Sequence, residues 1–188
     1  MKEPQNPPGA KPSGPRQKQP RKVSERYLEN AALHYLKRYA ATVTQLKRVL
    51  MRRVDRSLRF HGGDRAEALR WVDALTDKLS RGGLLNDPAY AELKAHSLRA
   101  SGRSSRVIAQ KLKMKGVSAD VVEQKLAQVT AEVSEDAAAL IWARKKRLGP
   151  FRREASTRSE HRQKDLASLA RAGFSFAIAK KIIDGPAE

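Results

Sequence analysis

The stretch "KLKMKGVSADVVEQKL" (Lys111–Leu126) decides how the chain folds. A basic helical run stops at Gly116 and restarts at Ser118, because glycine tolerates the left-handed turn that ends a helix and a serine hydroxyl caps the next one. Such a joint belongs either to a helix-turn-helix that reads DNA or to one link of a longer helical repeat. Working outward, "LASLARAGFSFAIAKKII" (Leu166–Ile183) has the same plan. Leu169 precedes Gly173 as Leu112 precedes Gly116; Phe174-Ser175 matches Val117-Ser118, Ile178 matches Val121, and Ile183 matches Leu126. Nearer the start, Leu46 and Leu50 correspond to Ile108 and Leu112, but Val54 stands in the place of Gly116 and an insertion follows. A loose period of about 60 residues, seen more than once, favours an array in which each small unit buries its apolar face against its neighbours.

From Ser24 onward no stretch alternates with period two, and Gly or Pro falls only between apolar-periodic segments. The expected fold is all-α: tandem three-helix repeats in an elongated, curved array, over 23–86, 87–130 and 131–188. Expected helices begin at Ser24, at Thr42 or Thr44, and at Asp64, whose Glu67 completes a capping box. Others begin at Asp87 as N-cap with Pro88 in first position, at Ser104 or Ser105, at Ser118 and at Ser134. Residues 1–22 hold six of the nine prolines and six Lys/Arg against the single Glu3, a composition that predicts a disordered tail.

The formal net charge is +19 over 188 residues, which makes a polyanion the first partner to consider. Counted as Lys/Arg minus Asp/Glu, 41–60 gives +5, 102–116 gives +5, 141–158 gives +6, and 117–140 gives −4. With Ile108 at the core, 100° per residue puts Arg103, Arg106 and Lys113 on the far side of their helix, at about 140–220°. Together with Arg48, Arg52 and Arg53 in the first unit and Arg144, Lys145 and Lys146 in the last, they form the expected polyanion-facing set. Six neutralised phosphates would give a log–log salt slope of about −5 on DNA.

The chain has no cysteine, so disulfides and thiolate chemistry are excluded. His34, His61, His96 and His161 are scattered without partners at ligand spacing, so no metal site is expected. Gly62-Gly63 reads as a turn rather than a phosphate loop. No cofactor and no catalytic group emerges, and an enzyme is not expected. No apolar run approaches a membrane span, and the N-terminus lacks the apolar core of a signal peptide, so a cytoplasmic protein without a membrane partner is expected.

"GLLNDPAYA" (Gly83–Ala91), "SLRASGRSSRVIAQKLKMKGVS" (Ser97–Ser118) and "DLASLARAGFSFAIAKKI" (Asp165–Ile182) together resemble the RecX regulatory proteins of bacteria, over nearly all of 26–184. The resemblance implies a monomer that binds the filament of RecA recombinase on single-stranded DNA. It further implies that the protein restrains the filament's ATPase, strand-exchange and coprotease activities, and so acts in DNA repair and the SOS response. Two departures stand out: Arg103-Ser104-Ser105 where family members often carry a second glycine, and the insertion "RFHGGDRAEA" after the second helix.

The competing reading is a stand-alone helix-turn-helix-like protein with Val117–Val129 as recognition helix. Ala119, Asp120 and Val121 are poor base readers, which argues against sequence-specific contact but leaves nonspecific duplex binding open. A helical scaffold for another protein is a third class; its function would survive neutralisation of the basic stripe.

Overall fold

The computed structural model describes residues 19–186. Most of the expected disordered tail, residues 1–18, lies outside them. Among the described residues there are nine α-helices, two short 3-10 turns and no strand: α1 Glu25–Leu36, α2 Val43–His61, α3 Arg65–Arg81, α4 Asp87–Ala100, α5 Ser105–Met114, α6 Ala119–Glu132, α7 Glu135–Lys146, α8 Arg158–Arg171 and α9 Phe176–Asp184. No described helix is long and apolar enough to cross a membrane.

Side-chain caps start most helices. Ser24, Thr42, Asp64, Ser104, Ser134 and Ser175 each accept a backbone N–H from the first turn. The choice therefore falls on Thr42 over Thr44 and on Ser104 over Ser105. One expected cap moves by a residue: Asn86 caps α4, because the Asp87 carboxylate is engaged elsewhere, accepting the Val43 N–H at 2.9 Å. The insertion is mostly helix, since α2 runs for 19 residues and α3 for 17, with only three residues between them.

Three apolar cores follow one another along the chain. Leu28, Leu46, Leu50, Val54 and Val72 centre the first, Ala91, Ala95, Ile108, Leu112 and Val129 the second, and Trp142, Leu166, Leu169, Phe174 and Ile183 the third. Each holds the apolar stripes of three successive helices, which explains why α5, only ten residues long, is stable in place: burial, not propensity, holds it.

The joint between successive cores is built twice with the same parts. The Thr42 hydroxyl, which accepts from Gln45 N–H, donates to the Lys115 carbonyl at the end of α5. Likewise the Ser104 hydroxyl accepts from Val107 N–H and donates, at 2.7 Å, to the Ala172 carbonyl at the end of α8. An acidic residue at the start of the following unit takes the first N–H of each capped helix: Asp87 for Val43 at 2.9 Å, Glu135 for Ser105 at 3.0 Å. The glycines fit here too. Gly116 (φ +84°) lies against Thr44 and Gly173 (φ +90°) against Ser104, so closely that a Cβ would collide with the facing side chain. The start of α2 thus abuts the end of α5, and the start of α5 abuts the end of α8. Beyond the end of α2 no described unit is seated in this way, and there Val54 stays helical and fully buried in its own core.

Candidate polyanion-binding face

The abutting ends of α2 and α5 bring the first two basic sets together. Leu46, Leu50, Val54 and Ser57 face inward on α2, which leaves Arg48 and Arg52 on its outer side. On α5 the inward pair is Ile108 and Leu112, and Arg106 and Lys113 are exposed. The joint brings these two sets together, because an Arg48 Nη1 donates to the Met114 carbonyl at 3.2 Å, one residue from Lys113. Arg53 stands apart from them, turned toward α1, where its Nη1 donates to the Tyr27 hydroxyl at 3.3 Å.

Arg103 precedes α5 and is half-buried. Its guanidinium lies 4.3 Å from the centroid of the Trp142 ring, and the Lys146 ammonium lies 5.4 Å from the same ring. Both are held by attraction to the negative face of the indole. Trp142 therefore ties the second basic set to the third. Arg144 sits 5.3 Å over the Phe151 ring, and Lys145 is exposed at the end of α7.

Two ionic clusters that the sequence did not reveal hold this arrangement. Arg99 is 1% exposed and donates to Glu135 (2.7 Å), Ser105 Oγ (2.6 Å), Thr130 Oγ1 (2.8 Å) and the Arg103 carbonyl (3.2 Å). One guanidinium thus fixes the start of α5, the lead-in carrying Arg103 and the start of α7. A signal was present: Arg99 continues the register of Ala91 and Ala95, all three buried. In the last unit Asp165, also buried, accepts from Gly149 N–H at 2.8 Å and from two nitrogens of Arg152 at 2.8 and 2.6 Å. This fastens the basic loop between α7 and α8. Burial pushes the Asp165 carboxyl up, but the Arg152 guanidinium and the Gly149 N–H outweigh it and hold the group below its ordinary value.

The arrangement offers exposed positive charge on all three units. Against known proteins, residues 86–126 match the family described as RecX, second three-helix domain. The chain is 73% identical over 167 residues to the regulatory protein RecX of Myxococcus xanthus (strain DK1622), covering 89% of each. It is 34% identical over 157 residues to the regulatory protein RecX of Agrobacterium fabrum (strain C58 / ATCC 33970), covering 84% of this chain and 82% of that one. Among solved structures, RecX from Lactobacillus salivarius superposes with a TM-score of 0.60 at 26% identity, over 85% of this chain and 94% of that one. A crystal structure of regulatory protein RecX gives 0.62 at 22% identity, over 86% and 72%, a likeness of fold alone.

Proposed function

The chain belongs to the RecX family of regulatory proteins, and from that premise we propose that it binds the RecA recombinase filament on single-stranded DNA. There it restrains the filament's ATPase, strand-exchange and coprotease activities, and through them DNA repair and the SOS response. It acts in the cytoplasm as a monomer, without cofactor, and by occupancy rather than catalysis. The repeats are 23–86, 87–130 and 131–188, and Arg48, Arg52, Arg53, Arg103, Arg106, Lys113, Arg144, Lys145 and Lys146 face the filament or its DNA.

The observation that carries this reading is the joint built twice. It seats the start of α2 on the end of α5 and the start of α5 on the end of α8, so the basic residues of successive units follow one another along one scaffold. A surface carried over three linked units can meet successive protein subunits and the strand between them. Weak contacts linked on one scaffold then reinforce one another through effective concentration.

The second reading, a stand-alone and largely nonspecific DNA binder, draws on the same charge. One observation weighs against α6 as its recognition helix. A hydrogen bond from Ser118 and backbone N–H groups at the start of α6 hold the Asp120 carboxyl below its ordinary value, so a negative charge stands where a phosphate would approach. Co-sedimentation with recombinase filaments on single-stranded DNA tests the choice. Wild type is expected in the pellet, and the Arg103→Glu, Arg106→Glu, Lys113→Glu variant in the supernatant with its helicity unchanged. Equal pelleting of the two would remove the central contact surface from the account.

A further inference from the structure

A concavity of about 510 Å³ lies where the lead-in to α1 crosses α2, and Arg53 is the one residue it shares with the set described above. Arg21 and Lys22 from the lead-in, Arg26 and His34 from α1, and Arg53 from α2 line it. The two carboxylates of α1, Glu25 and Glu29, face a different cleft, between α1 and α3. Among the described residues none of the four Lys/Arg lining the concavity is in an ion pair.

The backbone that carries Arg21 and Lys22 is anchored on both sides. The Pro20 carbonyl accepts from His61 Nε2 at 2.7 Å, which fixes the proton on that nitrogen, and Val23 N–H donates to the Ser57 hydroxyl at 2.8 Å. Ser57 is 1% exposed, so this second anchor sits in the core of α2. Arg21 and Lys22 lie between the two anchors, and the Tyr27 hydroxyl fixes Arg53 across from them. Bringing four like charges together with no counter-charge is unfavourable for the free chain, and the cost is recovered when an anion enters.

We infer that this concavity is a second phosphate-binding site, and that its occupant is the backbone of a single nucleic-acid strand. Guanidinium groups match phosphate oxygens with paired donors, which favours phosphate over an isolated carboxylate. Continuity with α2 favours a strand over a free nucleotide. Arg53 is on the same helix as Arg48 and Arg52, so a chain of phosphates leaving the concavity meets further cations, whereas a compact nucleotide would not. The inference goes beyond the filament reading, since it needs a strand and not a recombinase.

The test uses the full chain alone with a short labelled oligothymidylate, reading anisotropy across a salt series. Arg21→Gln, Lys22→Gln, Arg26→Gln is compared with a control of equal charge change at exposed sites elsewhere, Arg70→Gln, Arg81→Gln, Lys94→Gln. At about 0.7 per phosphate contact on single strands, loss of three contacts lowers the log–log slope by about 2 in the first variant and leaves it near wild type in the control. Arg21→Lys, Arg26→Lys keeps the slope, and the pair Arg21→Gln, Lys22→Gln, which alters no helix, guards against misfolding of the triple variant with an expected fall of about 1.4. Indistinguishable slopes for the triple variant and the control would overturn the site. Saturable ATP binding lost in the triple variant, with the oligonucleotide slope unchanged, would overturn the strand as occupant.

Discussion

Replacing Gly116 with alanine tests whether the units are locked together as described. The residue has φ +84°, a conformation that costs an L side chain about 1–2 kcal/mol. A Cβ there also overlaps the Thr44 side chain, so the joint must open. Opening it removes the hydrogen bond from Thr42 to the Lys115 carbonyl and that from Arg48 to the Met114 carbonyl, each worth about 0.5–1.5 kcal/mol. The expected loss is about 2–5 kcal/mol. Gly83 supplies the matched control, with φ +73° and nothing within 4 Å of a Cβ, so Gly83→Ala should lose only the conformational part, about 1–2 kcal/mol. In an array whose stability is a sum of unit and interface terms, the difference between the two variants reports the interface. Urea unfolding followed by far-UV circular dichroism measures both. Equal losses for the two glycines would refute the joint as an energetic contact.

Three further outcomes follow from the ionic clusters and the indole. Glu135→Gln leaves the Arg99 guanidinium buried without its counter-charge; because Glu135 is 25% exposed, solvent screening reduces the loss to about 2–3 kcal/mol in urea unfolding, and a loss below about 1 would refute it. The folded Asp165 carboxyl titrates below its unfolded value, so its contribution is present above about pH 4 and is lost as pH falls through the lower folded value. The stability gap between wild type and Asp165→Asn should accordingly be wide at pH 7 and shrink on acidification below about pH 4; a gap that is constant with pH contradicts the assignment. In a Trp71→Phe background Trp142 is the sole tryptophan, and a strand that draws Arg103 and Lys146 off its ring should change its emission. Unchanged emission when anisotropy shows full binding would remove those two cations from the interface.

The all-helical fold was legible because its punctuation is local. Ser or Thr caps, Gly stops and apolar stripes each act within a turn or two of helix, and they marked Ser24, Asp64, Gly102, Ser134 and the two glycine joints. What those glycines touch was not legible, since Thr44 lies 72 residues from Gly116 and Ser104 lies 69 from Gly173. Arg99 was unread for a related reason: charged residues are rarely fully buried, and its Glu135 partner comes from another helix, three elements on. Helical angles placed Arg106 and Lys113 on the outer face, as the structure does. They could not place Arg103, which lies outside the helix and answers to Trp142 instead. The concavity near α1 was hidden because the short lead-in reads as tail, and only the His61 and Ser57 anchors bring Arg21 and Lys22 to Arg53.

The single-strand-dependent ATPase of the cognate recombinase, titrated with this protein at two salt concentrations and with DNA in excess, tests the central claim most directly. Filament regulation predicts inhibition at well under one molecule per recombinase subunit, weakening as salt rises. A rate that falls only when the protein suffices to cover the DNA would contradict it and leave competition for the strand as the explanation.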